Sequence, residues 1–214
     1  MSGESSYPTV TDETALRDLF PAPKERVILK QMTSLDVYCR RLIEISPFVC
    51  LATSDEDGRV DVSPRGDAPG FVRVVDDVTL MIPDRRGNNR LDSLANIIAN
   101  PEVGLLFMVP GIDETVRVNG HAALIVDHAL CETFTVNRKA PKVVIRITAH
   151  EVFFHCAKAF IRSKLWQPES RVERGVLPGL GQIVAEQIAG KTLSQSEAQK
   201  ADAVIDDAYR NLLY

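Results

Sequence analysis

Three arginines, a glycine and two asparagines crowd one short stretch of this chain, Ile82-Pro83-Asp84-Arg85-Arg86-Gly87-Asn88-Asn89-Arg90-Leu91-Asp92-Ser93-Leu94. Arginine offers a planar fork of donors that grips phosphate or carboxylate through paired hydrogen bonds, so the chemistry on offer is capture of a small anion. An apolar, strand-like run precedes it (Val78-Thr79-Leu80-Met81-Ile82), and residues 91–99 read as a helix. A strand that empties into a cationic turn before a helix N-terminus would add free amides and a positive dipole end to those arginines. A solvated surface loop with ordinary helix capping is the competing reading of the same run.

A second element upstream matches the first. Val60-Asp61-Val62-Ser63-Pro64-Arg65-Gly66-Asp67 follows a buried-looking strand over residues 48–54 and the turn Asp55-Glu56-Asp57-Gly58, whose closing Asp-Gly signals a hairpin. Side chains two apart on a strand share a face, so Ser63 and Arg65 are delivered together. Pro64 cannot donate to a central ladder, which puts this strand at an edge or ends it there. Residues 71–75, a turn at Asp76-Asp77 and the strand ending at Ile82 make a further hairpin. Two hairpins, an arginine-rich turn and a helix predict a small barrel with an anion site at one rim.

The elements that must position these residues follow from periodicity and punctuation. Residues 12–17 open a short helix that Pro21 and Pro23 end, and a second piece runs over 24–31. Over 34–45 a helix capped by Ser34 would place Leu35, Tyr38, Leu42 and Ile45 on one stripe. Strands are expected at 103–109, 115–126 and 142–155, with a short helix near 127–134. The tail reads as helices at 183–189 and 194–213, the latter opened by Ser194 with Glu197 three residues on. The class is therefore α+β, in three parts: an N-terminal helical segment (1–45), a barrel (46–166) and a C-terminal helical extension (167–214) packed on the same domain.

Composition narrows the function. With 214 residues and 45% hydrophobic content the chain can bury a proper core. Its net charge of −4 gives no cationic footprint for nucleic acid, so the clustered arginines suit a small anion better than a polymer. No apolar run approaches the roughly 20 residues of a membrane span, and the N-terminus lacks the layout of a signal peptide. Cys39, Cys50, Cys131 and Cys156 form no Cys-x-x-Cys pair and read as free thiols, which predicts a soluble protein of the reducing cytoplasm. His121 and His150 fall in strands and His155 at a strand end, without ligand-like spacing, so no metal site is expected.

Four blocks carry a family resemblance. They are Leu51-Ala52-Thr53 to Ser63-Pro64-Arg65-Gly66; Ile82-Pro83-Asp84-Arg85 to Asn88-Asn89-Arg90-Leu91; Val116-Arg117-Val118-Asn119-Gly120; and Phe154-His155-Cys156-Ala157-Lys158-Ala159-Phe160-Ile161-Arg162-Ser163. In order and separation they resemble the pyridoxamine 5′-phosphate oxidase-like FMN-binding split barrels, in particular the branch of probable FMN-dependent enzymes. The resemblance covers about residues 46–166. It implies an antiparallel split β-barrel that binds FMN at a homodimer interface and acts as an FMN-dependent oxidoreductase on a small molecule. Asn89 and Arg90 match the phosphate-contacting pair, Ser63 and Arg65 the strand beside the phosphate and ribityl chain, and Ile82 and Pro83 the backbone under the ring. The oxidases of that activity place Arg-Lys where this chain has Asn89-Arg90, so Arg85 or Arg86 is the candidate replacement for the missing cation.

Arg117 shares a strand face with Thr115 and Asn119, and the pattern alone leaves it either on the water side or aimed into a cleft; the resemblance points it at the flavin, its own or a partner's. Lys158 and Arg162 share one face if their stretch is helical, as a solvated basic face or as cations near the ring. Trp166 is either core or part of the site. The region Phe153-Phe154-His155-Cys156-Ala157-Lys158 lacks the Arg-Leu-His-Asp-Arg-like motif that grips substrate phosphate in the vitamin B6 oxidases, so the substrate is expected to differ. A flavin carrier or sensor without turnover, or a barrel holding deazaflavin or haem, are the alternatives.

Overall fold

The computed structural model describes residues 7–214; residues 1–6, at the head of the stretch lacking a signal-peptide layout, lie outside them. The chain divides between Gln31 and Met32 into two units. The first holds α1 (Glu13–Leu19) and α2 (Glu25–Leu29). Asp12 caps α1 by accepting the Ala15 amide at 2.9 Å, and Pro21 and Pro23 lie just beyond its end.

The second unit begins with α3 (Val37–Ile45). Its cap is Asp36, whose carboxylate accepts the Cys39 amide at 2.7 Å, and not Ser34. The helix packs Cys39, Leu42 and Ile43 inward, with Leu35 buried just ahead of its cap, while Tyr38, expected on the inner stripe, is 70% exposed. Burial, with Asp36 adding to it, pushes the Cys39 thiol up to about 12. All four cysteines are free.

Seven strands follow: β1 (Phe48–Ser54), β2 (Val60–Gly66), β3 (Arg73–Val74), β4 (Thr79–Pro83), β5 (Glu102–Val109), β6 (Ile112–Ile125) and β7 (Val144–His155). α4 (Asp92–Ala99) connects β4 to β5, and α5 (His128–Glu132) connects β6 to β7. The sheet runs β2-β1-β5-β6-β7-β4-β3 with every pair antiparallel. Its end strands β2 and β3 stay unpaired with each other among the described residues, which makes the fold an α+β antiparallel split β-barrel. Pro64 lies on the edge strand, where its missing amide costs no ladder bond.

Strict alternation fills the interior. Val49 and Leu51 of β1, Leu105 and Phe107 of β5, Val116 and Val118 of β6, and Ile145 and Ile147 of β7 all point inward and are essentially inaccessible. Each such side chain contributes about 1.5–3 kcal/mol by leaving water. A bulge breaks the rhythm on β7. On β7, Ala149 and then Val152 face inward, because a bulge inserts one residue where Asn119 pairs Glu151 and Gly120 pairs Ala149. Gly120 is required there: a Cβ would sit 2.4 Å from the Thr148 carbonyl oxygen.

The tail comprises α6 (Lys158–Ser163), α7 (Leu180–Ala189) and α8 (Gln195–Asn211). Ser194 and Glu197 close the expected capping box on α8. α7 and α8 cross at Gly181, where a Cβ would lie 2.1 Å from the Ala201 carbonyl oxygen. No helix among the described residues is long and apolar enough to cross a membrane.

Candidate functional site

Alternation on the edge strand β2 turns Asp61, Ser63 and Arg65 to one half-buried face, against the start of α4. There the side chains form one directed chain. Arg65 Nε donates to Ser63 Oγ at 3.3 Å, Ser63 Oγ lies 3.0 Å from Ser93 Oγ, and Ser93 donates to Asp61 Oδ2 at 3.0 Å. With the Ser93 proton committed to Asp61, Ser63 is the donor between the two hydroxyls. Arg65 also gives Nη1 to Asp84 Oδ1 at 2.5 Å, tying β2 to the residue that follows β4.

The turn from β4 into α4 is unusual in its backbone. Asn89 (φ 59°) and Leu91 (φ 63°) both adopt the left-handed conformation on either side of Arg90. Asn tolerates it through its short polar side chain, but at Leu91 it costs about 1–2 kcal/mol. Leu91 is also the N-cap of α4 and provides no side-chain bond, which leaves the helix start without a side-chain cap among the described residues. Arg90 is held by its neighbours: Asn88 Oδ1 accepts its amide at 3.0 Å and Asp92 Oδ2 accepts its Nε at 2.8 Å. That hydrogen bond with Asp92, and the charge behind it, raise the Arg90 pKa further.

Arg85 belongs to a different cluster. Its Nε donates to Asp67 Oδ2 at 2.7 Å and its Nη1 to the Phe134 carbonyl at 2.7 Å, and the Tyr214 ring lies 5.8 Å beneath its guanidinium. Burial alone would raise Asp67; the Ala68 amide, the Tyr214 hydroxyl and the Arg85 guanidinium outweigh it and hold its carboxyl below the ordinary range. Arg86 is exposed in the turn. Ile82 and Pro83 are buried opposite Ile145 and Val144, so their side chains serve the core.

Arg117 stands on the outer face of β6, opposite Leu106 and Phe153. It pairs with Glu151 and stacks over the Phe153 ring at 4.0 Å, while its Nε is buried without a hydrogen-bond partner among the described residues. Asn119 donates to the same Glu151 carboxylate at 2.9 Å. Lys158 and Arg162 are exposed on α6. Trp166 anchors that helix: its Nε1 donates to the Ile112 carbonyl at 2.9 Å and its ring stacks on Phe160.

The fold thus joins Ser63 and Arg65 with Asp61, Asp84 and Ser93, and keeps Arg85 apart. Asp61 and Ser93 escaped the sequence reading, although Asp61 shares a strand face with Ser63. Chemically, this rim offers a guanidinium, two hydroxyls and an uncapped helix start, countered by three carboxylates (Asp61, Asp84, Asp92). Two shallow clefts of about 290 and 200 Å³ lie elsewhere, beside Phe160 and Lys164 and beside Arg85 and Phe134.

Residues 36–156 match the family model described as Pyridoxamine 5′-phosphate oxidase, and the chain belongs to that family. No curated protein matches the sequence. Among solved structures, a histidine-to-alanine variant of HupZ from Group A Streptococcus is 20% identical, with TM-score 0.47, covering 56% of this chain and 99% of its own. An FMN-binding protein from Syntrophomonas wolfei is 12% identical with TM-score 0.42, covering 67% and 96%. A FAD-binding protein from Mesorhizobium loti is 19% identical with TM-score 0.41, covering 59% and 99%.

Proposed function

We propose that this chain is an FMN-dependent oxidoreductase acting on a small molecule, with the flavin phosphate bound at the rim between β2 and the start of α4. The observation that carries the reading is the convergence of Arg65, Ser63 and Ser93 on an uncapped helix start, within a chain of this family. A phosphate of nearly two negative charges suits that donor set. Asn89 and Arg90 would close the turn over it. Arg65 would exchange Asp84, and Arg90 would exchange Asp92, for phosphate oxygens. The left-handed Leu91 is strain of the kind that accumulates where a backbone is shaped for a ligand.

Flavin when bound supplies hydride acceptance and donation at its ring. The protein's part is to bind, orient and exclude water. Ile82 and Pro83 would present backbone beneath the ring. The unpartnered Nε of Arg117 fits an acceptor, and Arg117, Lys158 and Arg162 are the cations available to favour negative charge on the ring. Trp166 would act by holding α6 in place. Arg85 would support the turn through Asp67.

The reading includes a homodimer with the site shared between subunits, in a reducing cytoplasm. The shallow clefts of the single chain and the half-exposed outer row of Cys50, Leu106 and Met108 support the first, and four free thiols the second. The test is an absorption spectrum of the protein as purified and again after adding FMN and removing the excess. A retained flavin band, lost in an Arg65→Ala/Arg90→Ala variant of unchanged fold, is expected; a chain that ignores FMN overturns the reading.

A further inference from the structure

Away from the rim, the β7 bulge does something no spacing along the chain reveals. Where one extra residue is inserted, two consecutive side chains, His150 and Glu151, turn outward on the same face. They part company there. Glu151 turns to Arg117 and Asn119, whereas His150 reaches across β6 to Glu102. Glu102 of β5 is paired directly with His121 of β6, so three adjacent strands bring Glu102, His121 and His150 to one point on the outer face.

The geometry there is that of a ligand set. His121 Nε2 lies 2.7 Å from Glu102 Oε1 and His150 Nε2 lies 3.3 Å from Glu102 Oε2. One ligand atom from each residue can be chosen so that all lie within 4.8 Å of one another. The two imidazole rings stand 5.2 Å apart and inclined by 59°, converging on the carboxylate without stacking face to face. A tetrahedral zinc with bonds of about 2.0–2.1 Å sets neighbouring ligands roughly 3.3 Å apart. Small rotamer adjustments of three exposed side chains reach that arrangement, and the paired strands fix the Cα positions beneath them.

We propose that Glu102, His121 and His150 bind one divalent transition-metal ion. Two imidazoles and one carboxylate favour zinc and its borderline neighbours over calcium or magnesium, which take oxygen ligands. Three protein ligands leave a position open for water or a further group. The metal binds independently of the flavin rim.

The full-length protein, stripped with chelator, is titrated with Zn²⁺ by calorimetry and with Co²⁺ by visible absorption. Saturation at no more than one ion per chain is expected, with cobalt bands of nitrogen and oxygen coordination, and Mg²⁺ giving no heat. His121→Ala or His150→Ala should each weaken Zn²⁺ by about tenfold or more, the size seen even for groups one layer out from a metal. All three residues are exposed, so the variants should keep the parent's circular dichroism. Absence of Zn²⁺ binding overturns the proposal, as does Zn²⁺ binding undiminished in the His121→Ala/His150→Ala variant, which would place the ion elsewhere.

Discussion

Arg65–Asp84 and Arg85–Asp67 are two ion pairs built from the same two pieces of chain. The end of β2 supplies Arg65 and Asp67; the exit of β4 supplies Asp84 and Arg85. Each piece contributes one acid and one base, and consecutive residues leave the exit of β4 in opposite directions. Around Arg65 the surroundings are hydroxyls and an uncapped helix start, with both partners about one-fifth exposed. Around Arg85 the Phe134 carbonyl and the Tyr214 ring enclose the acid more than the base, leaving Asp67 only 3% exposed while Arg85 is 17% exposed. The difference teaches that an arginine's neighbours, more than its charge, decide whether it is free to change partner. Under the proposed reading Arg65 trades a carboxylate for a phosphate, while Arg85 stays with Asp67 and holds the turn.

Four experiments would break or sharpen that contrast. The largest effect is expected from Arg85→Ala, which leaves the enclosed Asp67 carboxylate only the Ala68 amide and the Tyr214 hydroxyl and should cost about 3 kcal/mol of stability. In a domain of this size that lowers the melting midpoint by roughly 10 °C, while FMN affinity of the still-folded variant falls by less than in Arg65→Ala. Next comes Arg65→Ala, expected to weaken FMN by about 1.5–3 kcal/mol, the worth of a hydrogen bond to a charged group, with little change in melting. If the two variants exchange these signatures, the contrast is wrong.

A smaller effect lies in the pH dependence of the closed pair. Because the folded Asp67 carboxyl is held below its ordinary value, its stabilisation is present above the unfolded value near ~3.9 and is lost as pH falls through the lower folded one. Urea unfolding of parent and Asp67→Asn should therefore differ by a constant amount from neutral pH down to about pH 5 and converge in acid. A difference that persists at the lowest pH would show that packing, not charge, carries the effect. The smallest change is expected from Asp84→Asn: it removes a like charge from beside the proposed phosphate site and should tighten FMN by a few-fold in the same titration.

Most of the barrel was legible in the residues alone. Buried-looking apolar runs marked β1 and β5, alternation marked β7, Asp-Gly placed the first hairpin, Pro64 marked the edge, and Ser194 with Glu197 opened the last helix. Local signals of that kind act within a few residues, so the sequence carries them openly. The cap of α3 was less secure, since Ser34 and Asp36 both offer an oxygen and only packing of Leu35, Cys39 and Ile43 against the sheet selects the second. Ser63 and Arg65 were recognisable as a pair because two residues on one strand must share a face.

Residue types, their local periodicity and the punctuation between elements were thus determined by the sequence itself, and with them the family. What only the tertiary structure decided is who meets whom across strands. Arg85 meets Asp67, and Tyr214 from the far end of the chain bonds the same carboxylate. Ser93 reaches Asp61 because α4 packs against an edge strand formed some thirty residues earlier. Glu102, His121 and His150 converge through strand register and one inserted residue in β7, and a bulge leaves no mark in composition or spacing. Register is fixed by the whole barrel closing on its core, so contacts that depend on it become readable only once the sheet is assembled.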